Sequence, residues 1–159
     1  MLFPVFILNG VPWRSGAVKY FRKAEGDLAG VLIYFAYKYG FRWGVVAGTL
    51  SGTFQLIFGG YVVHPAQAFL DYPAAFACMG IAGLFGQKAK GITAGTLLAS
   101  ASRLACHVLS GVIFFASYAP EGKNVWLYSL VYNGTFMVPA ILISAALAIT
   151  LWKKFLKTV

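Results

Sequence analysis

Long apolar runs separated by short polar punctuation set the plan of this chain. Continuous apolar stretches cover residues 28–39, 43–63, 65–85, 92–118 and 125–152. Between them lie KYGFR, a Gly-Gly-Tyr loop, GQKAKG and APEGKN. None of the runs alternates like a half-buried strand, and open sheet edges cannot survive in hydrocarbon, so the pattern predicts helices. Residues 1–13 (MLFPVFILNGVPW) are apolar but interrupted by Pro4, Gly10 and Pro12. They fall short of the roughly 20 residues that a span requires, and no basic segment precedes them as a signal peptide would need. Residues 14–27 are polar and mixed in charge, and read as a connection. Pro65 suits the first turn of its helix, with Tyr61 and His64 in the loop before it. Pro73 and Pro139 fall inside helices and should bend them locally.

Composition places these helices in lipid. Of 159 residues, 60% are hydrophobic and 11% charged, with mean hydropathy +0.75; soluble domains average about 25% charged. Too few polar groups remain to cover a water-facing surface. The length suits one all-α integral membrane domain over residues 1–159: an abbreviated first helix with its connection (1–27), five membrane helices (28–152) and a basic cytoplasmic tail (153–159). The net charge of +9 does not point to nucleic acid, because the basic residues sit in clusters between apolar runs, not on one polar face. They orient the chain instead. With KYGFR inside, alternation also puts Lys38, Arg42, Lys88, Lys90, Lys153, Lys154 and Lys157 inside, and only Lys123 outside, beside Glu121. The stretch 14–27 runs against this order, since Arg14, Lys19, Arg22 and Lys23 would fall outside.

Orientation in turn locates the candidate chemistry. The chain has four acids, and Asp71 is the only one inside a spanning run. It lies six residues into a helix that starts at the outer face, about 9 Å deep at 1.5 Å per residue. His107 lies ten residues before Ser117, and Tyr128, Tyr132 and Asn133 open the last helix from the same side. An outward-open pocket is the economical reading. A buried carboxylate among aromatic rings favours a cationic or amine-bearing ligand. Intramembrane charges also pair with one another, so an internal Asp71–Arg103 ion pair stands as the alternative. His107 could equally be a packing histidine, and the tyrosines an interfacial belt.

Other chemistries find little support. There is no Walker-type phosphate loop, hence no sign that this chain hydrolyses nucleotide. Cys78 and Cys106 occupy different helices and there are only two histidines, which argues against a metal cluster. Ser110 stands at a spacing from His107 that a small membrane enzyme could use, but no oxyanion hole is apparent. Gly44–Gly48–Gly52 and Ala82–Gly86 have the small-xxx-small spacing of close helix contacts, within this chain or with a partner.

The segments QAFLDYPAAFACMGIAGLFGQK and RLACHVLSGVIFFASYAPEGKNVWLYSLVYNG resemble the thiamine-specific substrate-binding (S) component of energy-coupling factor (ECF) vitamin transporters. The resemblance runs from about Lys38 to Trp152. It implies a compact bundle of about six membrane helices in a bacterial plasma membrane, the first shortened here, with thiamine bound near the outer surface. It implies no cofactor, no enzymatic activity and, as partners, membrane lipids, a membrane coupling protein and two cytoplasmic ATPases. The family's acid falls on Asp71, flanked by Tyr72, its loop tyrosine on Tyr61, and its fifth-helix histidine on His107. The aromatic two turns on, typically tryptophan, falls on Phe115, and the YSLxxNG pattern on Tyr128 and Asn133. The same fold would also suit another vitamin or a small cationic solute.

Overall fold

The computed structural model describes residues 16–86 and 88–155, with side chains from Leu28 onward apart from Ala89. Residues 1–13, expected to form the abbreviated first helix, lie outside the described residues, as does the tail beyond Phe155. The described residues form five helical rods: α1 (Gly16–Tyr39), α2 (Phe41–Ile57), a composite α3 over residues 65–84, α4 (Ala89–Phe114) and α5 (Val125–Phe155). The described residues contain no strand.

Several boundaries differ from the expected ones; α4 runs Ala89–Phe114 where the apolar run covers 92–118, and three other differences have a physical reason. α1 begins at Gly16, so residues 16–27 extend the first apolar run as helix and do not form an irregular connection. Their polar composition hid this, because hydropathy marks what lipid covers and not where backbone hydrogen bonds continue. α2 stops at Ile57, six residues early, because Gly59 adopts φ 148, a conformation that breaks the helix and opens a loop over residues 58–64. α5 runs through Pro139 and on to Phe155, so Lys153 and Lys154 stand in its last turn, where cations complement the carbonyl end of the helix.

Local chemistry explains the starts. His64 accepts the Ala66 N–H on Nδ1 at 3.1 Å and Pro65 follows at the first helical position, which together begin α3. Asn124 caps α5, its Oδ1 accepting the N–H groups of Trp126 and Leu127 at 2.9 and 3.1 Å.

Packing is inverted relative to a water-soluble bundle. Small residues fill the inside: Ala36, Ala75, Ala82, Ala99 and Ala148 are fully buried around Ile33, Phe76 and Met79. Large apolar side chains face out on every rod, among them Trp43, Phe54, Ile113 and Leu142. Such a surface suits hydrocarbon, where helices associate through small residues and close backbone approach and not through expulsion of water. Lys90–Phe114 and Val125–Phe155 are each long and apolar enough to cross a bilayer.

The tightest contact lies between α2 and α3. Gly44, Gly48 and Gly52 form a buried stripe on α2. A Cβ on Gly48 would collide with the Phe76 carbonyl, and one on Gly52 with the Tyr72 carbonyl. The small-xxx-small spacing therefore serves contact within the chain, and that stripe is not available to a partner.

Candidate functional site

Asp71 sits where α3 is least regular. The rod starts as an α-turn (Pro65–Phe69), widens into a π-turn (Leu70–Ala74), narrows through Ala75–Ala77 and ends as a 3-10 stretch (Cys78–Leu84). Pro73 lies inside the π-turn and has no N–H to donate up the helix, which accounts for the widening at this point. Asp71 is thus displayed on a broadened turn that α2 holds from behind through Gly52 and Tyr72.

Three donors converge on its carboxylate. Gln67 Nε2 donates to Oδ2 at 2.6 Å and Ser110 Oγ to the same oxygen at 2.9 Å, while His107 Nδ1 lies 3.2 Å from Oδ1. An ionised carboxylate only accepts, so His107 presents Nδ1–H to it. Its Nε2 is buried and without a hydrogen-bond partner among the described residues. Asp71 and His107 are 18% and 14% exposed, so both sit at the rim of the interior and not deep within it. The expected alternative, an Asp71–Arg103 ion pair, does not form: Asp71 takes Gln67, His107 and Ser110, while the Arg103 guanidinium lies 4.2 Å from the centroid of the Phe76 ring.

α5 braces the histidine from the far side. Ser129 Oγ donates to the Val108 carbonyl at 2.9 Å, and Asn133 Nδ2 reaches the His107 carbonyl at 3.4 Å and the Ser129 carbonyl at 2.9 Å. Asn133 is buried and spends its donors on backbone, so its evident role is to hold the α4 turn that carries His107. Tyr128 begins an aromatic row on α5. Its ring lies 6.0 Å from Tyr132, which meets Phe136 edge-on at 6.2 Å, and Phe136 meets His107 edge-on at 6.5 Å.

The 58–64 loop closes the other side. Tyr72 Oη accepts the Tyr61 N–H at 2.7 Å, so these two predicted residues do meet, through the loop backbone of Tyr61. Phe115 stands apart from the carboxylate cluster. α4 ends at Phe114, and Phe115 leaves the helix at φ −126° and ψ 19°, its ring 6.1 Å from Tyr118. Phe114 instead stacks on His64 at 5.2 Å, joining the end of α4 to the start of α3. Asp71, His107 and Asn133 therefore form one connected group, Tyr61 and Tyr72 a second beside it, and Tyr128 joins through the rings.

Gln67 and Phe136 belong to the site and were not foreseen. Gln67 stands one turn before Asp71 in the sequence, and Tyr128, Tyr132 and Phe136 recur at the four-residue spacing of one helix face. Ser110 was noticed only for its spacing from His107. Its hydroxyl donates to Asp71 and not to the histidine, so no Ser-His-Asp order exists here. Cys78 and Cys106, on different helices, meet with sulfurs 3.8 Å apart, and no cluster of three or more metal-ligating side chains occurs among the described residues.

The family model described as thiamine transporter protein matches residues 29–159. The chain belongs to the thiamine transporter protein family. It is 39% identical to the thiamine transporter ThiT of Bacillus subtilis, in an alignment covering 76% of this chain and 72% of that one. The ThiT of Lacticaseibacillus paracasei is also 39% identical, over 60% of this chain and 52% of its own length. A solved structure of ThiT from Listeria monocytogenes superposes with a TM-score of 0.67, covering 88% of this chain and 97% of that one. At 21% identity that likeness speaks for the fold. Matched residues begin at Ala29, so the family pattern covers the whole carboxylate cluster and leaves most of α1 outside it.

Proposed function

We propose that this chain is the thiamine-binding membrane subunit of an ECF-type uptake transporter, a multi-pass protein of a bacterial plasma membrane that captures external thiamine at Asp71. Membership of the thiamine transporter family supports the substrate, and the site chemistry suits it. Thiamine carries an aminopyrimidine, whose exocyclic amine donates, and a thiazolium, which is cationic. A carboxylate already aligned by three donors, a buried histidine Nε2 with room for a partner and a row of rings complement those features. The converging donors at Asp71 carry the proposal, because they place the one acid of α3 next to a buried imidazole nitrogen without a hydrogen-bond partner among the described residues.

The chain is not an enzyme. It binds and releases its ligand unchanged, and the energy for uptake comes from partners: a membrane coupling protein and two cytoplasmic ATPases. The glycine stripe on α2 is consumed by α3, so docking on the coupling protein uses another surface. Of the residues matched to the family pattern, Asp71 and His107 bind thiamine directly in this proposal. Tyr61, Tyr72 and Tyr128 enclose it, Phe115 borders it and Asn133 positions the histidine.

Titration of the detergent-purified chain with thiamine, followed by quenching of its tryptophans, tests this reading. Thiamine is expected to bind more tightly than its diphosphate, since among the described residues no cluster of basic side chains surrounds Asp71 to receive phosphate. Tighter binding of riboflavin or biotin in competition would overturn the assignment.

A further inference from the structure

Gln67 is a buried polar side chain beside the site, only 2% exposed. Its amide makes three contacts. Oε1 accepts the Val63 N–H at 3.0 Å, and Nε2 donates both to the Tyr61 carbonyl at 3.2 Å and to Asp71 Oδ2 at 2.6 Å. One planar group therefore grips both the backbone of the 58–64 loop and the site carboxylate. Tyr72, next to Asp71, takes the Tyr61 N–H, so the loop is held at adjacent points by the helix that carries the acid.

We propose that Gln67 is a positioning residue that couples occupation of Asp71 to closure of the 58–64 loop; this rests on the reading of Asp71 as the thiamine-binding acid. Oδ2 is shared by Gln67 and Ser110, with Oδ1 facing His107. A cation arriving at the carboxylate takes the lone pairs that those donors leave free and fixes the carboxylate that Gln67 holds. Any change in the Gln67–Asp71 bond moves an amide that also holds the Tyr61 carbonyl through Nε2 and the Val63 N–H through Oε1. Because the amide is planar and buried, it cannot shift at one end alone. Ligand binding and loop position then become one event, and the loop acts as a latch whose removal speeds release more than it slows entry.

The test uses the full-length chain in detergent, comparing wild type with Gln67→Ala and Gln67→Glu. Stopped-flow tryptophan quenching gives thiamine association and dissociation rates, and hydrogen–deuterium exchange reports on residues 58–66 with and without thiamine. In wild type, thiamine should slow exchange in the loop. Gln67→Ala should release thiamine at least about tenfold faster, the size of one charge-assisted hydrogen bond, with association nearly unchanged. Its loop exchange should no longer respond to thiamine. Gln67→Glu keeps the acceptor for Val63 but loses both donated bonds, so Val63 should stay protected in the free protein while the thiamine response disappears. That variant carries the test should the alanine chain fail to fold. Dissociation within about twofold of wild type, or a loop response that persists in the variants, overturns the coupling. A wild-type chain that does not bind thiamine overturns the reading of the site, and this inference with it.

Discussion

The two faces of α3 are built on opposite principles. Towards α2 it presents bare backbone, with the carbonyls of Tyr72 and Phe76 lying directly on Gly52 and Gly48. Towards α4 it presents side chains, with Asp71 engaged by His107 and Ser110 and Cys78 touching Cys106. A backbone-to-backbone seam has almost no freedom, because no rotamer can move aside to absorb a change. A face made of side-chain hydrogen bonds can exchange partners. The pairing suggests a division of labour: α2 fixes where the carboxylate stands, and α4 supplies contacts that a ligand can replace.

Breaking the seam should have the largest effect. Gly48→Val adds a branched side chain where even one carbon meets the Phe76 carbonyl. Overpacking of this kind costs about 1–3 kcal/mol, and more where neither neighbour can yield. We expect a sharp fall in folded protein recovered and in melting temperature, with thiamine affinity lost only as far as folding is lost. A variant that folds normally and melts within a few degrees of wild type would show that the seam is looser than the close approach implies.

Breaking the other face should separate affinity from stability. Asp71→Asn keeps the shape and removes the charge. Its effect should be that of one charge-assisted bond, about 1.5–3 kcal/mol or roughly 10- to 150-fold in thiamine affinity. Since Asp71 does not pair with Arg103, the change orphans no buried cation, and the melting temperature should move little. A large drop in melting temperature with unchanged affinity would make Asp71 a structural residue of the bundle.

Much of this contrast was legible in the sequence, and unevenly so. Runs of apolar residues marked the rods because lipid exposure is written into composition. Asp71 stood out because an acid in a spanning run demands a partner. His107 and Asn133 could be matched through the spacing of a family pattern. What that pattern did not supply was who touches whom. Asp71 and Arg103 looked able to pair by depth alone, but depth does not say which way α4 is rotated, and its rotation gives His107 and Ser110 to the acid. Gln67 was overlooked because glutamine in a polar-flanked helix start is unremarkable until its three partners are seen. The helical course of residues 16–27 was hidden by their charge.

The smallest expected effect concerns the border of the site, where α4 ends. The family pattern assigns the stacking aromatic to Phe115, whereas the ring that reaches across to α3 is Phe114, on His64. The two differ in kind: Phe114 is the last helical residue, and Phe115 has left the helix and lies against Tyr118. If Phe115 stacks on a thiamine ring, Phe115→Ala should weaken binding by roughly 0.5–2 kcal/mol. Phe115→Trp should then preserve or tighten it, since tryptophan offers the strongest ring face to a cation. Phe114→Ala should leave affinity close to wild type and instead loosen the junction between α4 and the start of α3, lowering the melting temperature. Titrating both alanine variants decides between them. A greater affinity loss at Phe114 would move the border of the site to the His64 contact, one residue earlier than the family pattern places it.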